Sequence, residues 1–419
     1  MGRSGRERNS CPSFLLRLQF ATSSCPKLRS LPIDVKQAMS TVLTEGESAS
    51  ARNMVEPVAL RESSVQQDAG RFHIPSLDGL RAVAILLVFL SHAGLGHVVP
   101  GGFGVTIFFF LSGYLITTLL RREFQRNGNI NLRHFYLRRI LRIWPAFYLV
   151  LLLGVVLTIA HVIPGQAKLV PTLAQLFHFA NYYSIFASSG GMTAGTGVFW
   201  SLAVEEHFYL LFPFVYGLLL TSRLSAKQQF SILVAGCVAV LVWRVYLVMG
   251  LGAPMERTYY ASDTRLDSLL FGCTLAIYVN PMFDGKTHHQ LYVKYGVVPI
   301  ALLAILCTFL FRSETFRETF RYTIQGIALF PIFIAAISFP NWSVFRVLNT
   351  KLAKFLGDIS YSFYLVHFTV IETVKFHAGE ISKSVQGVIS FAISIVIAWT
   401  IYKVIDHPIA KVRQRLTRS

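Results

Sequence analysis

Charge is what this chain has least of. Only 14% of its 419 residues are Asp, Glu, Lys or Arg, while 53% are hydrophobic; about a quarter of a soluble domain is charged. With a mean hydropathy of +0.52, that shortage excludes a water-facing surface over most of the molecule and leaves no room for a large soluble domain. Cysteine is sparse as well. Cys11, Cys25, Cys237, Cys273 and Cys307 form no Cys-x-x-Cys pair and no metal-ligand spacing, so no disulfide framework or zinc site is implied. The three in apolar runs read as small hydrophobes. Acids are outnumbered by bases, 21 to 39, for a formal net charge of +18. Such a balance in a soluble protein would point to nucleic acid. Here no basic face with interleaved aromatics lies outside the apolar segments, so nucleic acid is excluded as a partner.

What the chain does have is long hydrophobic runs. About 20 apolar residues cross a bilayer, and ten candidate stretches fall near 80–97, 103–120, 140–161, 199–220, 230–249, 264–280, 293–311, 321–339, 354–373 and 385–403. They predict an all-α fold: a polytopic bundle of about ten transmembrane helices, one domain over 73–410, embedded in the lipid bilayer. Residues 1–72 are rich in Ser and Arg and lack helical periodicity; they are expected as a disordered tail or a leader. Residues 411–419 are expected as a short basic tail, and the aromatic stretch 171–198 as a segment folded over the outer mouth. Lys and Arg set the sidedness. The loop 121–139 carries six arginines, including Arg138 and Arg139, and the C-terminus adds Lys411, Arg413, Arg415 and Arg418. The segments expected outside hold fewer, so both termini are expected in the cytosol.

Ionisable residues inside membrane helices are costly and are kept mainly for a site or a partner. The first helix runs from Ser76-Leu-Asp78-Gly-Leu-Arg81 to Ser91-His92. At about 100° per residue, Arg81 and His92 lie within about 20° of one face, with His92 about 16 Å further along and Asp78 within about 40° of it. One face thus carries a cation near the cytosolic end and an imidazole well into the membrane. Asp78 is placed to cap the helix or to pair with Arg81.

In Phe199–Pro213 two carboxylates, Glu205 and Glu206, stand near a helix start, where the dipole favours them. Buried in a bundle, one of them can accept a proton or orient an imidazole. Arg139 and Arg142 share a face at the entrance of the third helix, and guanidinium forks suit phosphate oxygens; Arg138 reads as an anchor. Arg265 and Asp267 open a later helix and read as a pair. Ser360, Tyr361, Ser362 and Tyr364 offer a polar lining, and His367 reads as a satisfied interhelical histidine.

These segments, in this order, resemble the integral membrane acyltransferase family 3, bacterial O-acyltransferases that modify polysaccharides, lipopolysaccharide and macrolides. The resemblance covers about residues 73–410. The Arg-x10-His pattern falls on Arg81 and His92, and Arg-x-x-Arg on Arg139 and Arg142. Phe109–Ile116, with Ser112, matches the second-helix signature. Trp200–Tyr209 matches Trp-Ser-Leu-x-Val-Glu-Glu-Gln-Phe-Tyr, with His207 in place of Gln, and Asp406-His407-Pro408 stands where the family has Glu-x-Pro.

The resemblance implies transfer of an acyl group, acetyl being the commonest, from cytosolic acyl-CoA to a hydroxyl of an envelope carbohydrate; a macrolide or other small molecule is the alternative acceptor. Acyl-CoA is a donor substrate, and no bound cofactor or metal is expected. Arg81, Arg139 and Arg142 would hold the anionic donor. His92 would take the acceptor's proton, and Glu205 would orient that imidazole. Asp78, Ser112, Trp200, Glu206, Arg265, Asp267, Ser360 and Tyr364 complete the candidate site. The expected location is the bacterial cytoplasmic (inner) membrane. A proton-coupled transporter would also keep His, Arg and Glu in its helices, but it predicts an internal repeat. The stretch 76–92 has no counterpart in the second half.

Overall fold

In a bilayer every backbone N–H and C=O must be satisfied within the chain, and a helix does so segment by segment. All regular structure among the described residues is helical. The computed structural model describes residues 74, 76–187, 192–284 and 292–415; the expected tail at 1–72 lies outside them. Ten long helices occupy the ten apolar stretches: α1 Leu77–Leu90, α2 Gly101–Asn127, α3 Leu132–Ile159, α4 Trp200–Thr221, α5 Ala226–Val245, α6 Ser262–Tyr278, α7 Val298–Leu310, α8 Arg321–Ser338, α9 Lys351–His377 and α10 Lys383–Ile401.

Eight of these, some lengthened by a flanking turn, are long and apolar enough to cross a membrane. The other two are α6, with 17 residues, and α9, which carries Lys351, Lys354, Asp358 and Glu372. Both are shielded by neighbours. The bundle is a row in which α10 packs on α9, α9 on α1, α1 on α2, α2 on α6 and α6 on α5. Helix α8 covers α6 and α7 covers α8, while α4 lies against α2 and α6, and α3 against α9.

Local chemistry sets the helix ends. Asn131 accepts from the His134 N–H to start α3, Ser225 and Gln228 form a capping box on α5, and Gly128 closes α2 at φ 71°. Gly113 of α2 and Gly272 of α6 let those helices meet backbone to backbone, because a Cβ on Gly113 would collide with the Leu269 carbonyl and one on Gly272 with that of Phe110. Two π-turns matter for the site. One, Ser91–Leu95, prolongs α1 and contains His92; the other, Tyr402–Asp406, follows α10. Such turns place side chains off the regular helical face. Residues 411–415, in the stretch expected as a short basic tail, continue a helix, His407–Arg415, that packs against α3. Pro408 suits its first turn. In the 171–198 stretch, short helices Leu169–Leu176 and Ala180–Phe186 pack beside α3 and α4.

Candidate active site

Helices α2, α3, α4 and α9, with Arg81 of α1, line a cavity. Arg81, Arg139 and Arg142 line it together. The Arg81 guanidinium donates to Asp78 at 2.7 Å, so Asp78 steadies a cavity arginine. Arg139 lies over the rings of Phe135 and Tyr209, 5.6 and 5.4 Å from their centres. Arg138 is turned away and pairs with Glu123 at 2.7 Å, as an anchor would.

Glu205 and Glu206 face these cations from α4. Glu205 accepts from the Ser112 hydroxyl at 2.8 Å and from Tyr209 at 2.9 Å. Glu206 keeps one carboxylate oxygen buried without a hydrogen bond. Hydroxyls line the remaining wall. Tyr364 and Ser201 share a hydrogen bond of 2.6 Å, Ser360 donates to the Gly357 carbonyl at 2.8 Å and Tyr361 to that of Ile143 at 2.7 Å. The cavity thus brings three guanidinium groups, which can bind an anionic ligand, together with two carboxylates and hydroxyls that suit a neutral, hydrogen-bonding one.

His92 lies outside the cavity lining, in the π-turn beyond the hydroxyl wall. Its Nδ1 is 3.0 Å from Nε2 of His367, and its ring lies 4.6 Å from that of Phe368. The expected partnership with Glu205 is therefore corrected: the partner of the His92 imidazole is His367. The reason is the packing order, since α1 lies against α9 while Glu205 looks toward α2 and α3.

A second correction concerns Arg265 and Asp267. Residues two apart on a helix point to different sides. Arg265 reaches toward α2, donating to Thr106 at 3.1 Å and stacking 3.8 Å over the Tyr322 ring. Asp267 reaches toward α5 and binds Arg244. Neither lines the cavity, and nor does Trp200, which packs among Phe109, Tyr259 and Tyr260. His207 meets Ser262 at 2.7 Å, and Asp406 accepts from Ser362, tying the second π-turn to α9. Arg244 escaped the reading of the sequence although a lone arginine in an apolar run is a signal. Ser201 and Tyr209 sat inside a recognised motif without a role.

A family model described as an acyltransferase domain matches residues 74–403. The chain belongs to that acyltransferase family. Curated relatives agree: it is 30% identical over 360 residues to the peptidoglycan O-acetyltransferase OatA of Listeria monocytogenes, covering 81% of this chain and 56% of the relative. Against the Bacillus subtilis protein named "Putative peptidoglycan O-acetyltransferase YrhL", identity is 33% over 365 residues, 80% of this chain and 55% of the relative. The acyltransferase thus spans little more than half the length of the curated relatives it matches. No solved structure matches it.

Proposed function

We propose that this acyltransferase carries an acetyl group from cytosolic acetyl-CoA to a hydroxyl of an envelope carbohydrate, peptidoglycan being the leading acceptor, with both chain termini in the cytosol. One observation carries the reading. Three arginines from two helices, Arg81, Arg139 and Arg142, line one cavity, and the helix that supplies Arg81 supplies His92 eleven residues on. Guanidinium groups bind the phosphates of an anionic donor. In the transfer, the acceptor oxygen attacks the thioester carbonyl while His92 takes its proton; the new C–O ester bond forms as the C–S bond breaks. The imidazolium then returns that proton to the departing thiolate. The acceptor class follows the relatives named for peptidoglycan O-acetylation.

The test is transfer in proteoliposomes supplied with acetyl-labelled CoA on the arginine side and soluble muropeptides on the other. Base-labile label should appear on the sugar and should vanish in a folded His92→Ala variant. Full transfer by that variant would reject the general-base role, and the absence of any transfer by the native protein would reject the donor and acceptor assignment.

A further inference from the structure

His367 is fully buried on α9, among Phe363, Tyr364 and Phe368. Its Nδ1 lies 2.7 Å from the Tyr364 carbonyl oxygen. A carbonyl only accepts, so this nitrogen carries the hydrogen. A neutral imidazole has one N–H, which leaves Nε2 of His367 as an acceptor. That Nε2 is 3.0 Å from Nδ1 of His92, so the His92 nitrogen must be the donor. The hydrogens are set by elimination along a chain that starts at a backbone oxygen, and the rings of Phe368 and Phe363 flank the pair.

We propose that His367 is a positioning residue that holds His92 as the Nδ1–H tautomer, leaving the lone pair on Nε2 to receive the acceptor's proton. An imidazole that pointed its N–H at the acceptor could not accept that proton. The second-nitrogen contact of a catalytic or ligating histidine sets which nitrogen is basic, and a buried neutral imidazole, fixed at its far edge by the backbone, does so without adding charge.

The inference rests on reading His92 as the base, so the experiment separates the two. Histidine-15N spectra of the protein in lipid, with His92→Ala to assign the signals, report the His92 tautomer directly. Nδ1–H is expected in the native protein and its loss in His367→Leu. In transfer assays His367→Leu should lower kcat about 100-fold, within the range general-base catalysis supplies, with both KM values unchanged. His367→Gln, whose amide oxygen can stand where Nε2 was, should recover kcat to within about tenfold of native. Nε2–H on His92 in the native protein would overturn the proposal, as would native kcat in His367→Leu. Native transfer by His92→Ala would reject the base reading instead, while the measured tautomer would still decide whether His367 sets it.

Discussion

The guanidinium of Arg244 on α5 grips the carboxylate of Asp267 on α6 through two hydrogen bonds, of 2.9 and 2.8 Å, where neither side chain touches solvent. Thr323 adds contacts to both, and the Thr264 and Thr319 carbonyls take the remaining guanidinium hydrogens. Every polar group of the pair is answered, which is the condition under which a buried ion pair is tolerated.

Removing one partner should therefore be severe. Arg244→Met strands a buried carboxylate and is expected to cost about 3–5 kcal/mol. Arg244→Met with Asp267→Leu should be more stable than the single variant. Thermal unfolding in detergent would show this; a native melting temperature in Arg244→Met would refute it.

The seam between α2 and α6 predicts a steric result. Gly272→Ala places a methyl against the Phe110 carbonyl and should sharply lower the yield of monodisperse protein. Gly197→Ala, with nothing within 4 Å of its added Cβ, should purify normally. Size-exclusion profiles compare the two.

Donor binding should weaken on loss of a cavity arginine. A charged hydrogen bond contributes about 1.5–3 kcal/mol, so Arg142→Ala should raise the donor KM roughly ten- to hundredfold. Arg138→Ala, which frees only Glu123, should leave it near native. Equal effects of the two would return Arg142 to topological anchoring.

His178, in the loop between the short helices Leu169–Leu176 and Ala180–Phe186, is held neutral: burial foremost, and then neighbouring His207, push its pKa from 6.5 down to about 4. Between those values the unfolded chain binds the extra proton, so acid favours unfolding. Stability should fall as pH drops from 6.5 toward 4. His178→Phe should flatten that slope in melting curves taken at several pH values; an unchanged slope would show that His178 does not contribute to it.

Much of this was legible in the residues. The ten apolar stretches became ten helices, eight of them long and apolar enough to span, because apolar length is a local property. The meeting of Arg81, Arg139 and Arg142 was legible too, since all three lie near the same end of their helices. Partnerships across helices were not. That His92 finds His367 and not Glu205, or that Asp267 finds Arg244 and not Arg265, depends on α1 lying against α9 and α6 against α5. Periodicity tells which face of a helix is special but not which neighbour that face will meet. The helix at 407–415 has a related cause: nothing in its cationic sequence tells that α3 is there to receive it.

Helices α6 and α9 are the two that fall short of spanning by length or apolarity. A segment with buried charge, or one too short, enters hydrocarbon poorly alone. Each is joined in sequence to a more apolar helix against which it packs, α6 to α5 and α9 to α10. In the first case Arg244 and Asp267 cancel one another across the hairpin. During synthesis these helices should therefore leave the translocon in pairs, α5 waiting for α6 and α9 for α10, so that assembly of the bundle proceeds partly by hairpins and not helix by helix.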